Sequence, residues 1–151
     1  MTTRRTLMGM AAGTALALGM ATTAAAQEFS FNLQSFLPAP ATIPSKIIDV
    51  WADKIEEESG GRIEITRYPS MQLGGAPPEL LDQVVDGVID MTYTVVGYTP
   101  GRFPSTEVFE LPFMVDDAGT ASGAFWQMLD GGIAESEMSE VKVLGGWVHG
   151  P

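Results

Sequence analysis

Phe29, Phe31 and Leu33 alternate with Ser30, Asn32 and Gln34, the two-residue period of a β-strand. Pro38 and Pro40 come next and predict a loop. Between Pro44 and Ser59 the period lengthens, and Ile47, Val50, Trp51 and Ile55 recur at helical spacing. Pro44 suits a first helical turn and Gly60-Gly61 a C-terminal stop. Alternation returns from Arg62 to Tyr68, with Ile63 and Ile65 opposed to Glu64 and Thr66, until Pro69 breaks it. After Gly74-Gly75 and Pro77-Pro78, the residues Leu80, Leu81, Val84 and Val85 form a second helical stripe that ends at Gly87. Ile89 to Val96 is mostly apolar and β-branched and reads as a buried third strand. Tyr98 to Pro112 is a loop punctuated by Pro and Gly, Asp116 to Leu129 a helix stopped by Gly131-Gly132, and Val141 to Val148 a further strand. Strands and helices alternating at such short intervals predict an α/β domain, a mostly parallel sheet flanked by helices.

The first residues obey a different rule. Arg4 and Arg5 precede an apolar, Ala/Gly/Met-rich run from Leu7 to Met20, and Ala24-Ala25-Ala26 stands just before Gln27. This is the pattern of a signal peptide spanning residues 1–26, too short and small-sided for a comfortable membrane span. Either the Sec or the twin-arginine route fits the paired arginines. Export to the periplasm is expected, with no membrane insertion of the mature chain after cleavage.

Charge narrows the partners. The sequence holds 8 Lys and Arg against 19 Asp and Glu. Cleavage after Ala26 removes two basic residues and no acidic ones, which leaves a formal charge of −13. Nucleic acid and anionic membrane surfaces are poor partners for such a chain, because phosphate contacts need clustered Lys and Arg. Cysteine is absent and His149 is the single histidine, so neither a Ser-His-Asp triad nor a multi-histidine or cysteine metal site can be assembled in its usual form. Nineteen carboxylates always permit some pair at glycosidase spacing, so a periplasmic hydrolase stays open as the alternative of a different class. Glu56-Glu57-Glu58 reads as a solvated helix face, with Lys54 spaced to pair with Glu58.

Gly60-Gly61-Arg62-Ile63, Gln72-Leu73-Gly74-Gly75, Asp82-Gln83 with Asp86-Gly87, Asp90-Met91, Tyr98-Thr99-Pro100-Gly101-Arg102-Phe103-Pro104 and Leu111-Pro112-Phe113 occur in this order. Together they resemble the solute receptors of tripartite ATP-independent periplasmic (TRAP) transporters, over essentially the whole mature chain. The resemblance implies a two-lobed periplasmic-binding-protein-like fold in which residues 27–151 are the first α/β lobe, truncated before a second lobe. It implies a small organic-acid (carboxylate) ligand delivered to the membrane subunits of a TRAP permease, without covalent chemistry. The arginine that typically pairs with the carboxylate would lie in the second lobe. No cofactor is implied, and whether a cation helps hold the carboxylate stays open. An inactive truncated remnant is a further reading.

Ligand clefts in such folds lie beyond the C-terminal ends of strands. The candidate site residues are therefore Phe36 and Leu37 after the first strand, Met71 and Gln72 after the second, and Tyr93, Thr94 and Tyr98 around the third. Gln72, Thr94 and Tyr98 are candidate hydrogen-bond donors. Arg102 is a candidate bidentate carboxylate partner, weighed against a loop-fastening salt bridge to Glu107 or Glu110. His149, after the last expected strand, either faces the cleft or packs beside Trp147. Each of these residues has loop packing as its ordinary alternative role.

Overall fold

The computed structural model describes residues 27–150; the expected signal peptide lies outside the described residues. Three strands, β1 (Phe29–Ser35), β2 (Ile63–Tyr68) and β3 (Met91–Tyr93), form a parallel sheet in the order β2-β1-β3. Phe29 pairs with Ile63 and Leu33 with Arg67 on one side of β1, and Leu33 pairs with Met91 on the other. The chain runs from β1 to β2 through α1 (Asp49–Glu58), and from β2 to β3 through α2 (Leu80–Val85).

Neighbouring residues of β1 show how the two faces are used. Leu33 is buried in a cluster with Ile65 of β2 and with Ile48 and Ala52 on the α1 side. Gln34, pointing the other way, hydrogen-bonds to Gln83 of α2 at 2.7 Å. Helices thus cover both faces of the sheet, as the alternating pattern predicts.

The helix α1 presents a different stripe from the one its sequence suggests. Ile47, Val50 and Trp51 are 44%, 58% and 36% exposed, whereas Ile48 and Ala52 are 8% and 0% exposed. Ile48, Ala52 and Ile55 also have helical spacing. The small Ala52 at the centre of this second stripe lets the helix backbone approach the sheet closely. A widened turn, Pro44–Ile48, precedes α1 and closes with the Asp49 amide donating to Pro44 O. Such a turn winds fewer degrees per residue than an α-helix and so rotates the face that α1 turns to the sheet.

Glu56 also differs from expectation. Its Oε1 accepts from the Ile65 amide at 2.8 Å and lies 3.7 Å from Arg67. The helix thereby satisfies an outward-facing amide of the edge strand β2, the kind of group that otherwise invites pairing with another chain. Lys54 does pair with Glu58, at 3.7 Å on an exposed surface.

Two strand expectations are corrected. β3 is three residues long, and Val96–Tyr98 already forms a 3-10 turn. Its pairing stops because its partner β1 stops at Ser35. Residues 141–148 form no strand; Val141, Val143 and Val148 instead pack on a cluster of Leu81, Phe103, Phe125, Leu129 and Met138. The long loop is partly ordered as a 3-10 turn, Glu107–Glu110.

The third helix, α3 (Ala118–Met128), begins directly after its cap residue. Gly131-Gly132 does not end it outright. A widened turn, Leu129–Ile133, carries Gly132 at φ 114° and leads into a last short helix, α4 (Ala134–Ser136). Only glycine adopts that φ cheaply, so the axis kinks here.

Asp117 is the N-cap of α3 and accepts from the Thr120 amide at 2.6 Å. Hydrogen bonds from the Thr120 backbone and side chain, and from Gly119, hold its carboxyl below the ordinary range. A carboxylate with a depressed folded pKa adds stability above its unfolded value, about 3.9, and loses it as the pH falls through the folded value. Asp117→Ala is therefore expected to lower Tm at neutral pH. The gap from the parent should narrow in melts followed by circular dichroism as the pH falls below the unfolded value of about 3.9; a gap of constant size would assign the effect to something other than this cap.

Candidate ligand-binding site

The sheet order reverses direction at β1. One crossover goes to β2 on one side and the next returns to β3 on the other, so the loops after β1 and β3 diverge and leave a crevice at the strand ends. Phe36, directly after β1, stacks on Tyr93 at the end of β3 with centroids 5.8 Å apart and planes at 18°. Tyr98 meets Phe36 edge-on at 5.3 Å. Tyr93 stacks in turn with Trp147 at 5.5 Å and 14°. Four aromatic rings from three separate segments therefore converge beyond the strand ends.

A cleft of about 660 Å³ opens beside this cluster, its wall including Tyr93, Thr94, Trp147, His149 and Lys142. Its floor is the apolar cluster around Phe103, Phe125 and Leu129. Apolar walls with a few polar groups are the ordinary make-up of a small-molecule site; here they include Thr94, Lys142 and His149 as donors and the carboxylates of Asp90 and Glu110. Burial, with a smaller contribution from Tyr98, raises the Tyr93 phenol above its usual range, so the ring stack carries no charge at neutral pH.

The expected site residues divide into three groups. Tyr93, Thr94 and His149 line the cleft. Phe36 stacks on Tyr93 and Tyr98 meets Phe36 edge-on, and neither is among the residues lining the cleft. Leu37 and Met71 are tied to the end of β1, with the Ser70 amide donating to Leu37 O and the Met71 amide to Ser35 O, each at 3.0 Å. Gln72 is exposed in the same turn. Ser70 and Met71 have φ of 53° and 56°, a conformation uncommon for such residues, held by these two backbone bonds.

Arg102 sits apart from the cleft. Its guanidinium donates to Asp82 at 2.5 Å and to Glu140 at 2.9 Å, and the side-chain hydrogen bonds to Asp82 and then Glu140 raise its pKa further. It therefore stays charged and joins α2 to the segment after α4. The fastening role holds with different partners: Glu107 instead accepts from the Gly101 amide, and Glu110 lies against Gly97. Arg102 and Glu140 are 38 positions apart in the chain, a pairing that local sequence does not reveal.

Trp147 and Lys142 are not among the residues that the sequence points to. Both fall inside the segment that reads as a strand, where a rule that looks only beyond strand ends never reaches them. Among the described residues, no group of three His, Cys, Asp or Glu side chains is placed to hold a metal ion, and no helix is long and apolar enough to cross a membrane.

Residues 36–150 match the family DctP, bacterial extracellular solute-binding protein, family 7. The chain belongs to this family. Its solved relatives are TRAP solute-binding proteins. One, from a marine metagenome, is specific for aromatic acid ligands and was crystallised with metahydroxyphenylacetate; it is 47% identical with a TM-score of 0.78, over 82% of this chain and 39% of that one. Another, from Rhodoferax ferrireducens T118, contains copurified benzoate and is 44% identical with a TM-score of 0.75, over 81% of this chain and 38% of that one. The outer membrane transporter protein TsaT of Comamonas testosteroni is 30% identical over 127 residues, which is 83% of this chain and 37% of that protein. This family 7 chain thus spans under two fifths of the length of these relatives. The family is periplasmic, and its members are solute-binding receptors rather than enzymes.

Proposed function

We propose that this family 7 chain supplies one wall of an exported receptor for an aromatic carboxylate. The receptor would hand its ligand to TRAP-type membrane permease subunits. The observation that carries the reading is the aromatic cluster at the strand ends, with Tyr93 and Trp147 stacked at 5.5 Å beside the 660 Å³ cleft. An aryl ring gains stacking there beyond simple area burial, and its carboxylate meets the donors of Thr94, Lys142 and His149. The relatives that bind aromatic acids and benzoate support the same ligand class. Residues 1–26 act as the export signal in this reading, and residues 27–151 form one lobe facing a second.

A receptor closes by burying its ligand between two walls, which excludes water and strengthens the carboxylate contacts. One wall alone leaves half the ligand surface wet. Purified residues 27–151 are therefore expected to bind benzoate weakly, seen as fast-exchange shifts in an NMR titration, and to return it chemically unchanged. Calorimetric affinity tighter than about 1 μM would contradict the one-walled cleft. Absence of any benzoate-dependent shift would count against the ligand class, and consumption of an ester or glycoside of the ligand would favour the hydrolase.

A further inference from the structure

The ring cluster contains an asymmetry. Tyr93 is stacked with two near-parallel rings, Phe36 at 18° and Trp147 at 14°. Phe36 stands away from the cleft and has Tyr98 against it as well. Trp147 lines the cleft at the outer end of the stack and remains 38% exposed.

The segment that carries Trp147 is placed by packing and by a clasp, not by a strand ladder. The Val148 amide donates to Ser122 Oγ at 2.9 Å, and the same hydroxyl donates to Val148 O at 3.1 Å. Ser122 thus does for one residue what a neighbouring strand would do. At Gly146 a Cβ would come within 2.7 Å of Phe125 Cε1 and 2.9 Å of Leu129 Cδ1, so glycine is what allows the segment to lie this close to α3. Val148 turns inward to the Phe125 and Leu129 cluster, while Trp147 and His149 on either side of it remain exposed, as expected for a locally extended backbone.

We propose that Trp147 is the specificity-determining platform on which the ligand's aromatic ring stacks. Tyr93 and Ser122 act as positioning residues, one backing the indole and the other fixing the backbone beneath it. This deepens the aromatic-carboxylate reading and rests on it. His149, two residues further along, is exposed on the same side of the segment and lines the same cleft.

The test compares benzoate with cyclohexanecarboxylate, which has nearly the same size and the same charge but no π-system. The purified chain is expected to prefer benzoate by about two- to tenfold in NMR titration, the range that an aromatic pair adds beyond area burial. Trp147→Leu should bring that ratio close to one, and Trp147→Phe should restore most of it. Ser122→Ala should reduce the ratio while the fold, followed by circular dichroism, is kept. In the parent, benzoate should shift the indole N–H of Trp147, identified by its loss in Trp147→Phe, and leave those of Trp51 and Trp126 in place. This last readout needs no folded Leu variant. A parent that prefers neither acid would overturn the aromatic reading itself. A parent that prefers benzoate, with the ratio kept in Trp147→Leu or the indole N–H unmoved, would overturn only the role of Trp147.

Discussion

Ile65→Ala is expected to cost about 2–5 kcal/mol of stability, enough to leave a lobe of this size largely unfolded on mild warming. Ile65 is 2% exposed at the centre of β2 and packs with Leu33, Ile48 and Ala52. Its backbone cannot shift inward to fill the space. One side of β2 is held by the ladder that pairs Ile65 with Phe31, and the Ile65 amide is held by Glu56 Oε1. Arg67, two residues along, lies 2.5 Å from Asp53 and 3.8 Å from Asp49 and tethers the same strand to α1. A site so restrained keeps its cavity, which puts the cost toward the upper part of the range. Urea unfolding followed by circular dichroism measures it; a loss under about 1 kcal/mol would mean that the helix collapses onto the sheet and that these tethers are slack.

Gln34→Leu should cost about 1–3 kcal/mol and, in addition, release the turn after β2. Gln34 is completely buried. Its amide donates to Gly74 O at 3.2 Å and to Gln83 Oε1 at 2.7 Å, and its carbonyl accepts from the Leu73 amide at 2.6 Å. A leucine of similar volume fills the space but leaves the Leu73 N–H without its acceptor, and that unmet demand is what destabilises. The turn concerned carries Met71 and Gln72, so the effect reaches the strand ends. Hydrogen exchange is the discriminating measurement: protection of the Leu73 amide should fall by more than that of amides within β1. Uniform loss across both would indicate global destabilisation and no local latch. Gln34→Glu is a useful companion, since it keeps the acceptor while replacing the donor.

The parallel α/β arrangement was legible because each strand and helix announces itself locally. Alternation in Phe29 to Gln34 and in Arg62 to Tyr68 marks half-buried strands, and Pro44 and Gly60-Gly61 punctuate the helix between them. The placing of Tyr93 and Thr94 at the cleft came from the same local reading, because strand ends are where such sheets bind ligands. Trp147 escaped it. Val141 to Val148 has the composition of a strand, but a strand exists only where another strand offers its amides and carbonyls, and the described residues offer the segment a serine hydroxyl instead.

Periods, caps and glycines are local, and much of what they govern could be read from the order of residues: the α/β class, the excess negative charge and the succession of elements, apart from the strand expected at residues 141–148, which does not form. Which of two apolar stripes on α1 is buried could not be read there, because both have helical spacing and only contact with the sheet chooses between them. Folding also settled that Arg102 fastens α2 to Glu140, and that rings from residues 36, 93, 98 and 147 meet. Most of those contacts join residues tens of positions apart, and a long-range contact leaves no local period to read.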